Sequence, residues 1–110
     1  MVKQYINRGD IVWIDFTPTK GREQSGLRPG VVISPQEYNS ISGLVLVCPM
    51  TSKSKGLSFE VEINGPNGKS FVLTDQVRTF DIKERIQKKS GKVSEYEMSE
   101  ILAKLSVLFR

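Results

Sequence analysis

The sequence contains no histidine, and it has one cysteine and one tryptophan. Without histidine, a Ser-His-Asp triad, a Cys-His pair, a histidine-based zinc site and a histidine general base are all excluded. Any catalysis falls to carboxylates, arginine, lysine, hydroxyls or the lone thiol. That thiol, Cys48, lies inside the apolar run LVLVCP, the setting of a small buried hydrophobe rather than of a nucleophile. A single cysteine also excludes a disulfide framework. No apolar run approaches the roughly 18–20 residues that a helix needs to cross a bilayer. The opening stretch MVKQYINRGD has no apolar signal-peptide core, so the expected compartment is the cytoplasm.

What is present reads as one domain, residues 1–110, with no internal repeat, linker or low-complexity tract. A domain of this size leaves much apolar surface exposed, and a dimer interface would help to cover it. The net charge of +4 favours a polyanionic partner, either a nucleic acid or an acidic protein.

Strand signals dominate the chain. Gly9–Phe16, GDIVWIDF, is rich in β-branched and aromatic residues, and GVVIS at Gly30–Ser34 is a second strand. PQEYNSISG after it has the turn residues of a helical turn or a short irregular excursion. LVLVCPMTS carries five consecutive apolar residues, as expected of a strand buried on both faces. Phe59–Asn64, FEVEIN, alternates cleanly, and the turn GPNG links it as a hairpin to SFVLTDQVRTFD, one long strand or two short ones. KERIQKKSGKVS is basic and turn-rich, with its charges expected in solvent. A terminal helix follows: Ser94 and Glu97 have capping-box spacing, and Met98, Ile101, Leu102, Leu105, Leu108 and Phe109 form one apolar stripe. The fold class is mainly β with a terminal helix, a small, strongly curved sheet or partly open barrel.

Between the first two strands runs TPTKGREQSGLRP, a loop much longer than the two to five residues usual in hairpins. Its segment GREQSGLR approaches a P-loop, with two glycines and a basic residue close behind. A P-loop needs Gly-Lys-Ser/Thr and then a helix; here Leu27, Arg28 and Pro29 follow the second glycine, and then a strand. A nucleotide cradle is therefore discounted. Two readings remain: a loop that is polar because it is wet, or one whose Lys20, Arg22, Glu23, Gln24 and Arg28 contact phosphates and base edges. Pro29 keeps Arg28 out of the helical region and extends it toward the second strand. There its guanidinium fork can grip two phosphate oxygens. The third strand empties into PMTSKSKG, presenting Thr51, Ser52, Lys53 and Lys55. If the second and third strands pair antiparallel, Arg28 and Thr51 meet at one edge. A cation beside hydroxyl donors there suits a phosphoryl transition state, or simple binding of a phosphodiester.

GDIVWIDFTPTKGREQSGLRPGVVIS, then PMTSKSKG, then LTDQV, taken in order and spacing, resembles the MazF/PemK-type toxins of bacterial type II toxin–antitoxin pairs. The resemblance implies an SH3-like small barrel of the MazF/PemK/CcdB type that forms a homodimer. It implies sequence-specific cleavage of single-stranded RNA with no metal or small-molecule cofactor. The substrate's own 2′-hydroxyl attacks, leaving a 2′,3′-cyclic phosphate and a 5′-hydroxyl. The family's catalytic arginine falls on Arg28 and its catalytic threonine on Thr51. A guanidinium is a poor base near neutrality, so Arg28 is assigned to clamp the developing phosphorane charge and Thr51 to donate to a nonbridging oxygen. Glu23, the nearest carboxylate in sequence, is the candidate proton acceptor. Phe16 could stack an unpaired base or serve the core. Gln24 and Gln76 could read base edges, and Lys20, Ser52, Lys53 and Lys55 could hold the RNA backbone. The family also implies a cognate antitoxin with an acidic, disordered tail. Two other functions stand beside this one: a CcdB-like gyrase poison, which would place its key residues on the terminal helix, and a non-catalytic RNA-binding barrel.

Overall fold

A computed structural model of the chain describes residues 5–16 and 26–109. Its elements run β1 (Asp10–Asp15), β2 (Leu27–Val32), α1 (Gln36–Ser42), β3 (Leu44–Thr51), β4 (Glu60–Gly65) and β5 (Gly68–Leu73). A 3-10 turn (Thr74–Gln76), β6 (Arg78–Asp81), α2 (Ile82–Arg85), β7 (Ile86–Lys92) and α3 (Glu95–Leu108) complete it. Among the described residues, seven strands form one curled sheet in the order β4-β5-β3-β2-β1-β7, with β6 also paired to β3. All the pairings are antiparallel. The mainly β architecture with a terminal helix is thus the one expected.

Strand β3 is the hub. Its first half pairs with β6, its middle with β2 and its last two residues, Met50 and Thr51, with β5. Its apolar run makes sense only because both sheet faces are covered. Cys48 and Met50 belong to one buried cluster with Ile11, Val31, Val61, Ile63, Val72 and the helix residues Ile101 and Leu105. Val45 and Val47 point the other way, into a cluster with Ile6, Val12, Ile14, Phe16, Val32 and Phe80. Alternation along one strand therefore feeds two cores. Helix α3 covers the first of these faces; the second carries the site described below.

Several elements sharpen or correct the sequence reading. Strand β2 starts at Leu27 rather than Gly30, so Arg28 lies in a strand and not in the loop. PQEYNSISG contains a proper helix, α1, held by Asn39: its side-chain amide donates to the carbonyls of Ile6 (2.9 Å) and Ser34 (3.2 Å). SFVLTDQVRTFD is two strands broken by the 3-10 turn, and the GPNG hairpin closes at Gly65–Gly68. There Gly68 takes φ +108, a conformation that L side chains rarely adopt.

The basic segment after Lys83 is not merely solvated: it forms α2 and the edge strand β7, which pairs with β1 through two irregularities. Its lysines hid it, because an edge strand with one wet side needs no apolar alternation. Lys89 is pinned, ion-paired to the buried Asp10 at 3.2 Å and donating to the Tyr5 carbonyl at 3.0 Å. In α3 the capping box is present as expected, with the Glu97 amide donating to Ser94 Oγ (3.0 Å) and Ser94 N to Glu97 Oε1 (2.8 Å). The second Glu97 oxygen accepts from the Asn64 amide at 2.8 Å, tying the helix start to β4. The expected stripe is buried only along its centre: Ile101 and Leu105 are covered, while Leu102, Leu108 and Phe109 are exposed. No described helix is long and apolar enough to cross a membrane.

The β2–β3 pairing depends on Gly30. A Cβ there would lie 2.5 Å from Val47 Cγ1 and 2.9 Å from the Cys48 carbonyl oxygen. Gly30→Ala is expected to lower the unfolding free energy by about 1–3 kcal/mol, the usual range for overpacking. Urea unfolding with a parent control measures it, and an unchanged midpoint would show that β2 and β3 do not sit this close.

Candidate active site

The β2–β3 ladder runs Val32–Val47, Val31–Cys48, Gly30–Pro49. Continued in the same register, it sets Arg28 opposite Thr51, and the two residues line one cavity of about 180 Å³. Pro29 and Pro49 lie at the end of this ladder, where each withholds an amide donor, and described pairing between the strands stops there. Arg28 is held from its other side by pairing with Ile14 of β1. The juxtaposition expected from the sequence is therefore present, with Arg28 fixed by a strand. Thr51 is half-buried, and its Oγ accepts from the Lys53 amide at 3.3 Å. Among the described residues that is its only side-chain hydrogen bond, which leaves the hydroxyl proton for an incoming acceptor.

Thr51 also lines a second, larger cavity of about 620 Å³ with Lys53, Lys55, Glu60, Asp75 and Gln76. The apolar part of that wall comes from Leu57, Phe59 and Leu73. The basic loop that carries Lys53 and Lys55 is organised by Glu60. The Glu60 carboxylate accepts from Ser54 Oγ (2.6 Å) and from the Lys55 amide (3.1 Å), and Ser54 Oγ in turn accepts from Gly56 N (2.9 Å). The Ser54 hydrogen bond, supported by backbone amides, holds the Glu60 carboxyl below its ordinary range. Gln76 is placed by the 3-10 turn, where the buried Thr74 donates its hydroxyl to the Phe59 carbonyl at 2.6 Å.

The sequence candidates thus divide. Arg28, Thr51 and Ser52 share the smaller cavity; Thr51, Lys53, Lys55 and Gln76 share the larger. Lys20, Glu23 and Gln24 lie outside the described residues. Of the two roles open to Phe16, the structure shows the core one. The ring is fully buried and meets Phe80 edge-on, with centroids 4.9 Å apart. Its backbone closes the root of the long loop: Phe16 N donates to Gly26 O at 2.9 Å, and the Phe16 carbonyl accepts from Arg78 at 3.0 Å. Arg85 likewise donates to the Asp15 carbonyl at 3.3 Å. Sequence reasoning missed these two arginines. It also missed Asn67 and Lys69, which the β4–β5 hairpin brings to the smaller cavity. The paired GPNG hairpin was legible; that its tip reaches Arg28 was not. Among the described residues, no three of the His, Cys, Asp and Glu type gather as metal ligands do.

A curled β domain with a cation and a hydroxyl at paired strand ends, flanked by a lysine loop, has the kinds of donor that a phosphodiester would need. The chain belongs to the PemK-like, MazF-like toxins of type II toxin–antitoxin systems, whose family model matches residues 7–109. It is 44% identical over 109 residues to the endoribonuclease toxin MazF of Escherichia coli strain K12, covering 98% of each chain. It is 33% identical to the endoribonuclease PemK of Escherichia coli, covering 96% of this chain and 84% of that one. The crystal structure of MazF from Deinococcus radiodurans matches with a TM-score of 0.89 at 35% identity, covering 97% of this chain and 98% of that one. A MazE–MazF crystal structure from the same organism matches with a TM-score of 0.80 at 35% identity over 97% of each chain.

Cys48 takes no part in the site. Burial, and secondarily the charge of Asp75, pushes its thiol up to about 12. At pH 8 the native chain is expected to react with a thiol reagent roughly a thousandfold more slowly than the urea-unfolded chain, following the thiolate fraction. Equal rates would place Cys48 outside the core.

Proposed function

We propose that this chain is a toxin endoribonuclease that cuts single-stranded RNA at defined sequences, without a metal or other cofactor. Its endoribonuclease class rests on its family and on the 44% identity to MazF over nearly the whole chain. The single observation that supports the chemistry is that Arg28 and Thr51 line one cavity at the open end of the β2–β3 pair. The 2′-oxygen of the substrate attacks the neighbouring phosphorus as the bond to the 5′-oxygen breaks. The products are a 2′,3′-cyclic phosphate and a 5′-hydroxyl. The 2′-proton passes to a base, for which Glu23 remains the candidate, and the departing 5′-oxygen takes up a proton. Arg28 clamps the charge that builds on the nonbridging oxygens, and the Thr51 hydroxyl donates to one of them. These groups do not need to change protonation state, which suits a chain without histidine.

Lys53 and Lys55 would hold the flanking phosphates, with Gln76 facing a base in the larger cavity. The basic loop is equally suited to an acidic peptide. The MazE–MazF complexes of the relatives support a cognate antitoxin as the partner, and we place both proteins in the cytoplasm. We assign it an acidic, disordered tail that competes with RNA on a toxin homodimer.

Incubation with a long RNA in EDTA, with mapping of both new ends, tests the reaction. Discrete cuts bearing cyclic phosphate and 5′-hydroxyl are expected, and a 2′-deoxy nucleotide at the attacking position should abolish cutting there. Cleavage lost in EDTA, or retained at the deoxy position, would overturn the mechanism. Arg28→Ala and Thr51→Ala are each expected to lower kcat by about 100- to 1,000-fold, the usual cost of losing one transition-state donor. Near-normal turnover by either folded variant would remove that residue from the site.

A further inference from the structure

We infer that Phe71, in β5, is a base-stacking residue of the RNA site and sets the preference for the nucleotide beside the cut. The inference rests on the endoribonuclease reading and deepens it. Its basis is register. Thr51 pairs with Phe71 across β3 and β5, and Phe71 pairs with Glu62 across β5 and β4. With Arg28 opposite Thr51 by continuation of the β2–β3 ladder, four strands set Arg28, Thr51, Phe71 and Glu62 in one row. Residues directly opposite each other in antiparallel strands share a face, with Cβ atoms about 4.5–5.5 Å apart. Register therefore puts Phe71 on the same face as Thr51, on the side away from Arg28.

Phe71 is not spent on the core. Its neighbour Val72 is fully buried on the opposite face, while Phe71 is half-buried and belongs to neither buried cluster. Phe16, the aromatic that the family resemblance offered for stacking, is fully buried against Phe80 and has no face to present. The next residue of β5 on the same face is Lys69, exposed, lining the cavity with Arg28 and ion-paired with Glu62 at 3.6 Å. A π-face and an ammonium thus alternate along β5, about 7 Å apart at the usual strand rise. That is the pairing used to hold single-stranded nucleic acid, in which bases stack on aromatics and phosphates meet cations.

The whole chain is first used to map its cuts on a long mixed-sequence RNA. An oligonucleotide spanning a mapped cut, with a 2′-O-methyl group at the attacking position, then measures binding without cleavage. Phe71→Leu keeps the bulk and removes the π-face; Phe71→Tyr keeps both. Leucine is expected to weaken binding about 5- to 150-fold, the range for one base–aromatic stack. It should also relax selectivity at one position beside the cut, with an unchanged unfolding midpoint, and tyrosine should restore both properties. If the parent cuts RNA while the leucine variant binds and selects as the parent does, this inference fails and the proposed function stands. A tyrosine variant as defective as leucine would also overturn it, and a parent that cuts no RNA overturns both.

Discussion

The register of β3 is the constraint on which the rest of the molecule depends. Val45 and Val47 fill one core while Cys48 and Met50 fill the other, all at 0–2% exposure. A slip of one residue would exchange the two sets and move Thr51 to the opposite face of the sheet. Because both faces are dry, that slip would mispack two cores at once. The same pairing holds β2, so the position of Arg28 beside Thr51 follows from packing that neither residue performs. Gly30 permits this approach, since β3 lies closer to it than any side chain would allow.

The site occupies the place where that packing ends. The face shared by Val12, Ile14, Val32 and Val47 runs out toward Arg28 and Thr51, and α3 covers the other face. Prolines terminate the ladder just there, leaving a cation and a hydroxyl at strand ends that are held rigidly from behind. The basic loop beyond Thr51 is shaped by the Glu60 carboxylate, not by apolar burial. On the proposed function, a rigid pair of donors next to a lysine loop held by hydrogen bonds divides the work well. Chemistry needs fixed geometry, whereas an RNA backbone or an acidic peptide tolerates variation.

Most of the fold was legible because its strands advertise themselves. The LVLVC run announced a strand buried on both faces, FEVEIN its alternation, and Ser94 with Glu97 the start of α3. Strand β7 was illegible, since IQKKSGK has neither alternation nor β-branched residues after Ile86; it is held by an edge pairing and by Lys89 on Asp10. Arg28 and Thr51 could be brought together from sequence because the strands that carry them are consecutive apart from one short helix. Phe71 could not, because its nearness to Thr51 depends on the β3–β5 register, which pairs residues twenty positions apart with the whole β4–β5 hairpin between them. Phe16 stayed open between two roles for a related reason: an aromatic at a strand end looks the same in sequence whether it faces solvent or Phe80.

The central claim is that packing places Arg28 and Thr51 on one phosphate, where they act together. A double-mutant cycle tests it most directly: kcat/KM for cleavage of one defined RNA by the parent, Arg28→Ala, Thr51→Ala and the double variant, each checked for an intact fold. If both residues stabilise the same transition-state charge, the double variant should lose little more than the worse single variant, as groups that act as a unit do. Losses that simply add in free energy would show two independent sites and contradict the arrangement described.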